Sequence, residues 1–184
     1  MQNVTPELDA AFRAAALRDG LVDVRHDVLD SPVGPLQIGW TSRGLARISY
    51  VEDGFEDALA RTFGVRVLRA PVDEARRELT EYFDGTRTSF DLPLDLRVAP
   101  FQAEVLRELA RVPYGRTDTY GSLARKVGRP AAARAVGTVM NRNPIPIVLP
   151  CHRIVGADGS LTGYAGGLEV KRRLLALEGA RLAG

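Results

Sequence analysis

The amino-acid sequence predicts an α+β N-terminal domain, a small antiparallel sheet with helices, followed by a mainly α domain carrying a helix-turn-helix. Three observations carry this. Short apolar runs over residues 22–51 alternate with a period of two between glycine and proline signals, and residues 100–140 switch to a helical period. The charge also changes sign along the chain: residues 1–100 hold 12 Lys/Arg against 17 Asp/Glu, a balance of −5, and residues 101–184 hold 13 against 6, a balance of +7. The expected boundaries are a helical extension over 1–20, a scaffold domain over 21–97 and the helix-turn-helix domain over 98–184.

Taken in order, Thr5-Pro6-Glu7 reads as a helix start with an N-cap, a proline at the first helical position and an early acid. Leu8, Phe12, Ala16 and Leu17 give that helix an apolar stripe ending near Gly20. Val22 to Asp30, Leu36 to Thr41 and Leu45 to Val51 read as strands of an antiparallel meander, separated by Ser31-Pro32-Val33-Gly34-Pro35 and Ser42-Arg43-Gly44. Phe55, Leu59 and Phe63 share a helical face, Val65 to Leu68 fits a short strand, and Leu79, Tyr82 and Phe83 mark a helix closing at Gly85. Ser89 to Leu96 alternates again. This half gathers no nucleophiles, metal ligands or glycine-rich phosphate loop, and its expected role is scaffold.

Beyond Pro100, Phe101, Val105 and Leu109 form a helical stripe and Pro113-Tyr114-Gly115 a turn. A helix with Tyr120, Leu123, Ala124 and Val127 on one face follows. The turn Gly128-Arg129-Pro130 then leads to a second helix from about Ala131 to Met140, the spacing of a helix-turn-helix and equally of an ordinary helical hairpin. Ala131-Ala132-Ala133-Arg134-Ala135 presents tiny side chains around one long cation. A helix that reads base edges carries several Arg, Asn or Gln, so this one favours backbone or shape contact, or else a packed alanine helix with Arg134 in a surface ion pair.

At 184 residues, 45% hydrophobic and 26% charged, the chain is long enough to bury a proper core. No apolar run approaches the roughly 18–20 residues a bilayer span needs, and Met1 to Gly20 carries acids, not a basic start and an apolar block. A cytoplasmic protein without membrane contact is expected. One cysteine excludes an internal disulfide, and two histidines, His26 and His152, leave a structural zinc site short of ligands, so neither metal nor cofactor is expected. The basic second half points to a polyanion such as nucleic acid, with a solvated basic face as the alternative.

Asn143-Pro144-Ile145-Pro146-Ile147-Val148-Leu149 is an apolar, proline-broken stretch that delivers Pro150-Cys151-His152-Arg153 to a buried turn. A free thiol with a pKa of ~8.5 is only a few per cent thiolate at neutral pH, so a nucleophilic cysteine needs a base, a cation or a helix end nearby. His152 is adjacent, but neighbouring side chains in an extended segment point opposite ways, which favours coupling through a water. Inert packing is the competing role for a lone buried cysteine.

The wider pattern is specific. Pro150-Cys151-His152-Arg153-Ile154-Val155, with Asn143-Pro144 before it and Gly163-Tyr164-Ala165-Gly166-Gly167 and Lys171 to Glu178 after it, closely resembles the O6-alkylguanine-DNA alkyltransferase family. The likeness runs from Pro100-Phe101-Gln102 through Tyr120-Gly121 and Arg134-Ala135-Val136-Gly137 to Glu178-Gly179, and the Ser31 to Leu36 turn resembles the family's N-terminal domain. The resemblance implies a ribonuclease H-like first domain and a winged-helix-like second one. It also implies repair of O6-alkylguanine, and of O4-alkylthymine, in double-stranded DNA. The alkyl group passes irreversibly to Cys151, in the single turnover of a methylated-DNA–protein-cysteine methyltransferase.

By the same resemblance His152 links Cys151 through water to Glu178, Asn143 holds the turn around the cysteine, and Tyr120 gives a proton toward guanine N3. Arg134 fills the stack that the flipped nucleotide leaves, with Ala133, Ala135, Gly137, Tyr120 and Arg142 along the DNA contact. Met140, Ile154, Gly163, Tyr164 and Ala165 match positions lining the base pocket. A monomer with scope for cooperative assembly along DNA is implied. Leu106 stands where tryptophan is frequent, Thr138 to Arg142 follows one family variant, Ala165 replaces a serine of some members, and the helix before Gly20 has no counterpart. The rivals weigh less: alkyltransferase-like binders carry tryptophan in place of Cys151, zinc-bearing regulators need more cysteines, and a cysteine hydrolase needs an oxyanion hole that the sequence does not locate.

Overall fold

Thr5 opens the first helix, α1 (Pro6–Arg18): its hydroxyl accepts the Leu8 N–H at 3.3 Å, and Pro6 supplies a preset φ at the first helical position. The structure, a computed structural model, describes residues 5–51 and 53–180. The first four residues of the expected extension and the last four of the expected 98–184 domain therefore lie outside the described residues. The expected apolar stripe of α1 does not pack: Ala16 is buried, whereas Leu8 and Phe12 stand 61% and 68% exposed. The helix leans on the domain through polar links instead, with Arg13 donating to the Arg69 carbonyl at 2.8 Å while paired with Asp9.

Strands β1 (Val24–Leu29), β2 (Leu36–Thr41) and β3 (Gly44–Tyr50) form the antiparallel meander that the turn residues predict. Helix α2 (Phe55–Phe63) carries the chain back over the sheet, and β4 (Val67–Arg69) then pairs parallel to β1, so the sheet is mixed with the order β3-β2-β1-β4. Phe55 and Leu59 seal this crossover against Val24. Gly39 allows it, since a Cβ there would sit 2.6 Å from a Leu59 methyl. Helix α3 (Asp73–Phe83) buries Ala75, Leu79, Tyr82 and Phe83.

The alternation over Ser89–Leu96 does not become a strand. Leu45 holds it at a single bridge to Leu94, donating to the Pro93 carbonyl and accepting from Asp95, and Pro93 has no N–H with which to extend a ladder.

The second half opens with α4 (Pro100–Leu109), whose Val105, Leu106 and Leu109 are fully buried. Strand β5 (Asp118–Thr119) leads straight into α5 (Tyr120–Lys126), capped by the Thr119 hydroxyl. A 3-10 turn over Pro130–Ala132 precedes α6 (Ala133–Asn141), which completes the helix-turn-helix two residues later than the alanine run alone predicts. Strand β6 (Ile154–Val155) pairs parallel with β5, and α7 (Gly167–Leu177) closes the described chain. One hydrophobic core runs from Leu36, Ile38 and Tyr82 of the first half into Leu106, Leu123, Ile145 and Leu174 of the second. No helix among the described residues is long and apolar enough to cross a membrane.

Gly44 has φ +126 and would bring a Cβ within 2.1 Å of the Pro93 carbonyl. Gly44→Ala is expected to lose about 2–4 kcal/mol in urea denaturation, combining left-handed backbone strain with displacement of the 93–95 segment. An unchanged midpoint would mean that this segment moves freely.

Candidate active site

The β5–β6 pairing brings together two segments far apart in sequence. Tyr120 immediately follows β5, and Cys151-His152-Arg153 immediately precedes β6. Those three residues form a buried 3-10 turn, the turn expected there, in which the Arg153 N–H closes onto the Pro150 carbonyl.

Asn143 builds the turn that carries the cysteine. Its amide donates to the Leu149 carbonyl at 2.8 Å and its oxygen accepts the Ile145 N–H at 3.1 Å, so one side chain closes the loop from both ends. Inside that loop Ile147 is buried with φ 74, a left-handed conformation costly for a β-branched residue. Cys151 is 5% exposed, and burial pushes its thiol up to about 11. A hydrogen bond from Asn143, the charge of Lys171 and local backbone N–H groups act in the opposite direction.

His152 is fully buried and turns away from solvent to bond Glu178 Oε1 through Nε2 at 2.8 Å, while its Nδ1 is buried without a protein partner. Desolvation holds the imidazole below its usual pKa despite the carboxylate, so the ring is neutral near pH 7. Burial would raise Glu178, yet hydrogen bonds from His152 and Arg153 outweigh it and hold the carboxyl at about 2. Tyr82 of α3 also donates to Oε1 at 2.7 Å, Arg153 grips both oxygens, and the Gly115 N–H donates to Oε2.

Around the cysteine, Met140 and Ile154 are buried in the same core cluster. Residues 163–165 form a loop in which Gly163 lies near the Asn141 side chain and Ala165 is exposed at a cleft shared with Asn143 and Pro146. The Tyr164 ring meets His152 edge-on at 6.4 Å. The Tyr120 hydroxyl pairs with Thr162 Oγ1 at 2.8 Å, and its ring lies 3.8 Å from where a Cβ on Gly137 would stand. On α6, Arg134 and Ala135 are exposed, Ala133 and Gly137 half-buried, and Arg134 has no ion-pair partner among the described residues. Arg142 stands apart from these, past the far end of α6 beside the cleft.

Several residues of this site carry no role in the sequence reading. Arg153 and Lys171 stand in quoted motifs but look like ordinary surface cations. Lys171 is instead fully buried, donating to the Ile154 and Thr162 carbonyls, and burial brings its ammonium down to about 8. A lone lysine on an otherwise apolar helix face is the available signal. Tyr82 and Tyr50 reach the site across long sequence separations, which no local pattern reveals.

Because Glu178 falls from 4.5 to about 2 on folding, its contribution is fully present above pH 4.5 and is lost as pH drops toward 2. Glu178→Gln is expected to flatten the stability profile over that window, removing on the order of 3 kcal/mol at neutral pH. Thermal melts of both proteins from pH 2 to 7 check this, and parallel profiles would refute it.

Comparison with known proteins identifies the family. Residues 24–96 match the family described as 6-O-methylguanine DNA methyltransferase, ribonuclease-like domain, and residues 100–180 match its DNA binding domain. The methylated-DNA–protein-cysteine methyltransferase of Methanosarcina barkeri is 40% identical over 162 residues, 83% of this chain and 96% of that protein. Its counterpart from Mycolicibacterium paratuberculosis is 44% identical over 155 residues, 84% and 92% of the two chains. Among solved structures, Mycobacterium tuberculosis O6-methylguanine methyltransferase superposes with a TM-score of 0.76 at 40% identity, covering 88% of this chain and 96% of that one. Mycobacterium tuberculosis OGT in complex with DNA gives 0.77 at 40% identity, covering 85% and 93%. The chain belongs to the 6-O-methylguanine DNA methyltransferase family.

Proposed function

We propose that this protein repairs O6-alkylguanine in double-stranded DNA by moving the alkyl group onto its own Cys151, once per molecule, and that O4-alkylthymine is a second substrate. The observation that carries this is the placement of the single cysteine. It sits beside a helix-turn-helix, on a turn latched by Asn143 and backed by a buried His152–Glu178 pair.

Cys151 must lose its proton to react. His152 Nδ1 is a buried acceptor with no protein partner, which suits a water relaying the thiol proton to the ring. Glu178, ionised and bonded to Nε2, favours the imidazolium that results. Lys171 lends its charge to the thiolate. The thiolate sulfur then attacks the alkyl carbon in line, the carbon–oxygen bond breaks, and its electron pair passes to guanine O6. Tyr120, exchanging its Thr162 partner for the base, supplies a proton at N3, so guanine leaves neutral and Cys151 remains a thioether.

A cysteine 5% exposed cannot meet an O6-alkyl group that is still stacked in a duplex, so the nucleotide has to flip out. Met140, Ile154 and the Gly163-Tyr164-Ala165 loop would receive it, and Arg134, free of ion pairs among the described residues, would fill the gap. Small residues at 133, 135 and 137 suit close approach of α6 to the minor groove, and Arg142 suits a phosphate contact. In this scheme residues 98–184 do the chemistry, residues 21–97 support them, and the protein meets DNA as a monomer.

The test mixes the protein with limiting duplex DNA containing O6-methylguanine and maps the mass of the Cys151 peptide. One added methyl per protein at Cys151, absent in Cys151→Ala, is expected. Tight lesion binding with an unmodified Cys151 would overturn the proposal. Arg134→Ala is expected to slow transfer from duplex DNA at least tenfold while changing bulk DNA affinity only a few-fold. Transfer at the normal rate would exclude the intercalating role.

A further inference from the structure

The first half of the chain, described so far as support, sends a second side chain into the site besides Tyr82. Tyr50 ends β3, and its hydroxyl lies 2.8 Å from the Tyr164 hydroxyl, with the two rings edge-to-face at 5.9 Å. The Tyr50 ring also fills the space over Gly166, where a Cβ would come within 2.6 Å of it. Two residues earlier on the strand, the Ile48 N–H donates to the Pro144 carbonyl at 2.9 Å, so β3 is fixed to the same turn that Asn143 builds. Tyr164 in turn lies against His152. A continuous route of contact therefore runs from a strand of the scaffold through the 163–167 loop to the histidine beside the nucleophile.

We propose that Tyr50 is a positioning and specificity-determining residue: bonded to Tyr164, it fixes the 163–167 loop over the thiol and so limits how large an alkyl group the pocket admits. Within the loop the Gly167 N–H bonds the Tyr164 carbonyl at 3.0 Å, and Lys171 and Tyr120 hold the preceding Thr162. The loop consists of Gly163, Tyr164, Ala165, Gly166 and Gly167, and glycines impose few backbone preferences. A cleft of about 490 Å³ is lined by Tyr50 of β3, by Asn143 and Pro146 of the cysteine-bearing loop, and by Ala165. A loop swung away from Tyr50 would widen it. Burial keeps both phenols protonated far above neutral pH, so the hydroxyl pair persists over the working range.

This inference rests on alkyl transfer to Cys151, and the experiment separates the two. Transfer rates from duplex O6-methylguanine and from free O6-benzylguanine are measured for the protein and for Tyr50→Phe, which deletes only a hydroxyl. Tyr50→Phe is expected to raise the benzyl-to-methyl rate ratio about three- to tenfold, the factor that one neutral hydrogen bond supplies, with an unchanged melting temperature. Tyr164→Phe should give the same shift, and the double variant no more than either alone, because both delete one bond. Gly166→Ala, which displaces the loop from the opposite side of the contact, should move the ratio in the same direction. A ratio unchanged within about twofold, equal losses on both substrates, or additive effects in the double variant would overturn the role of Tyr50. If the unaltered protein modifies Cys151 with neither substrate, the alkyl-transfer reading fails first.

Discussion

A carboxylate cannot be buried as deeply as Glu178 unless donors replace the water it loses, and here the donors come from all over the chain. Tyr82 approaches from α3, Gly115 from the turn after α4, and His152 and Arg153 from the 3-10 turn that bears the cysteine. Glu178 itself caps the end of α7. A single anion thus ties a helix of the first half, a connecting turn and the reactive turn to the last helix. Arg153 is held in the same way, its third nitrogen donating to the Val112 carbonyl. Removing Glu178 would leave the Arg153 guanidinium buried without its counter-ion, and removing Arg153 would leave the carboxylate without its charge partner, so the turn that bears the sulfur depends on the pair.

That set also divides the electrostatics. On the Glu178 side an ionised carboxylate and a guanidinium are in direct contact, with a neutral imidazole bonded to the same carboxylate. On the Cys151 side the nearest cation is Lys171, whose buried ammonium is weakened toward 8. The thiol therefore rests protonated in the free protein and is not activated by its surroundings alone, since desolvation dominates every favourable contact it makes. A nucleophile kept in that state is spared adventitious alkylation and oxidation.

What could be read from the sequence follows the range of the forces involved. The three meander strands, the capped first helix and the helix-turn-helix are set by local turn chemistry and periodicity, and each lies within a few residues of its predicted limits. The parallel docking of β4 on β1 and the failure of 89–96 to form a strand depend on what the rest of the fold offers as partners, so neither leaves a local mark. The α1 stripe misled for a related reason: Leu8 and Phe12 recur at helical spacing, but no surface of the fold is presented to them. At the site, Asn143, Cys151 and His152 share one short segment, whereas Glu178 stands 26 residues beyond His152 and is singled out only through the family resemblance. Tyr82 lies 96 residues from Glu178 and Tyr50 lies 114 from Tyr164, separations that only tertiary structure closes.

Ile147 adds a constraint of another kind. With φ at 74 its backbone occupies a conformation costing a β-branched residue about 1–3 kcal/mol, and the two hydrogen bonds of Asn143 keep the loop from relaxing. The two positions are consequently coupled in what the lineage can change. A glycine at 147 would relieve the backbone strain, while the hydrogen bonds of Asn143 to the loop and to the thiol would still be needed. While isoleucine remains, loss of Asn143 releases the spring and moves the cysteine with it. Substitutions at 143 and 147 are therefore coupled through one loop, and their effects on stability should not simply add.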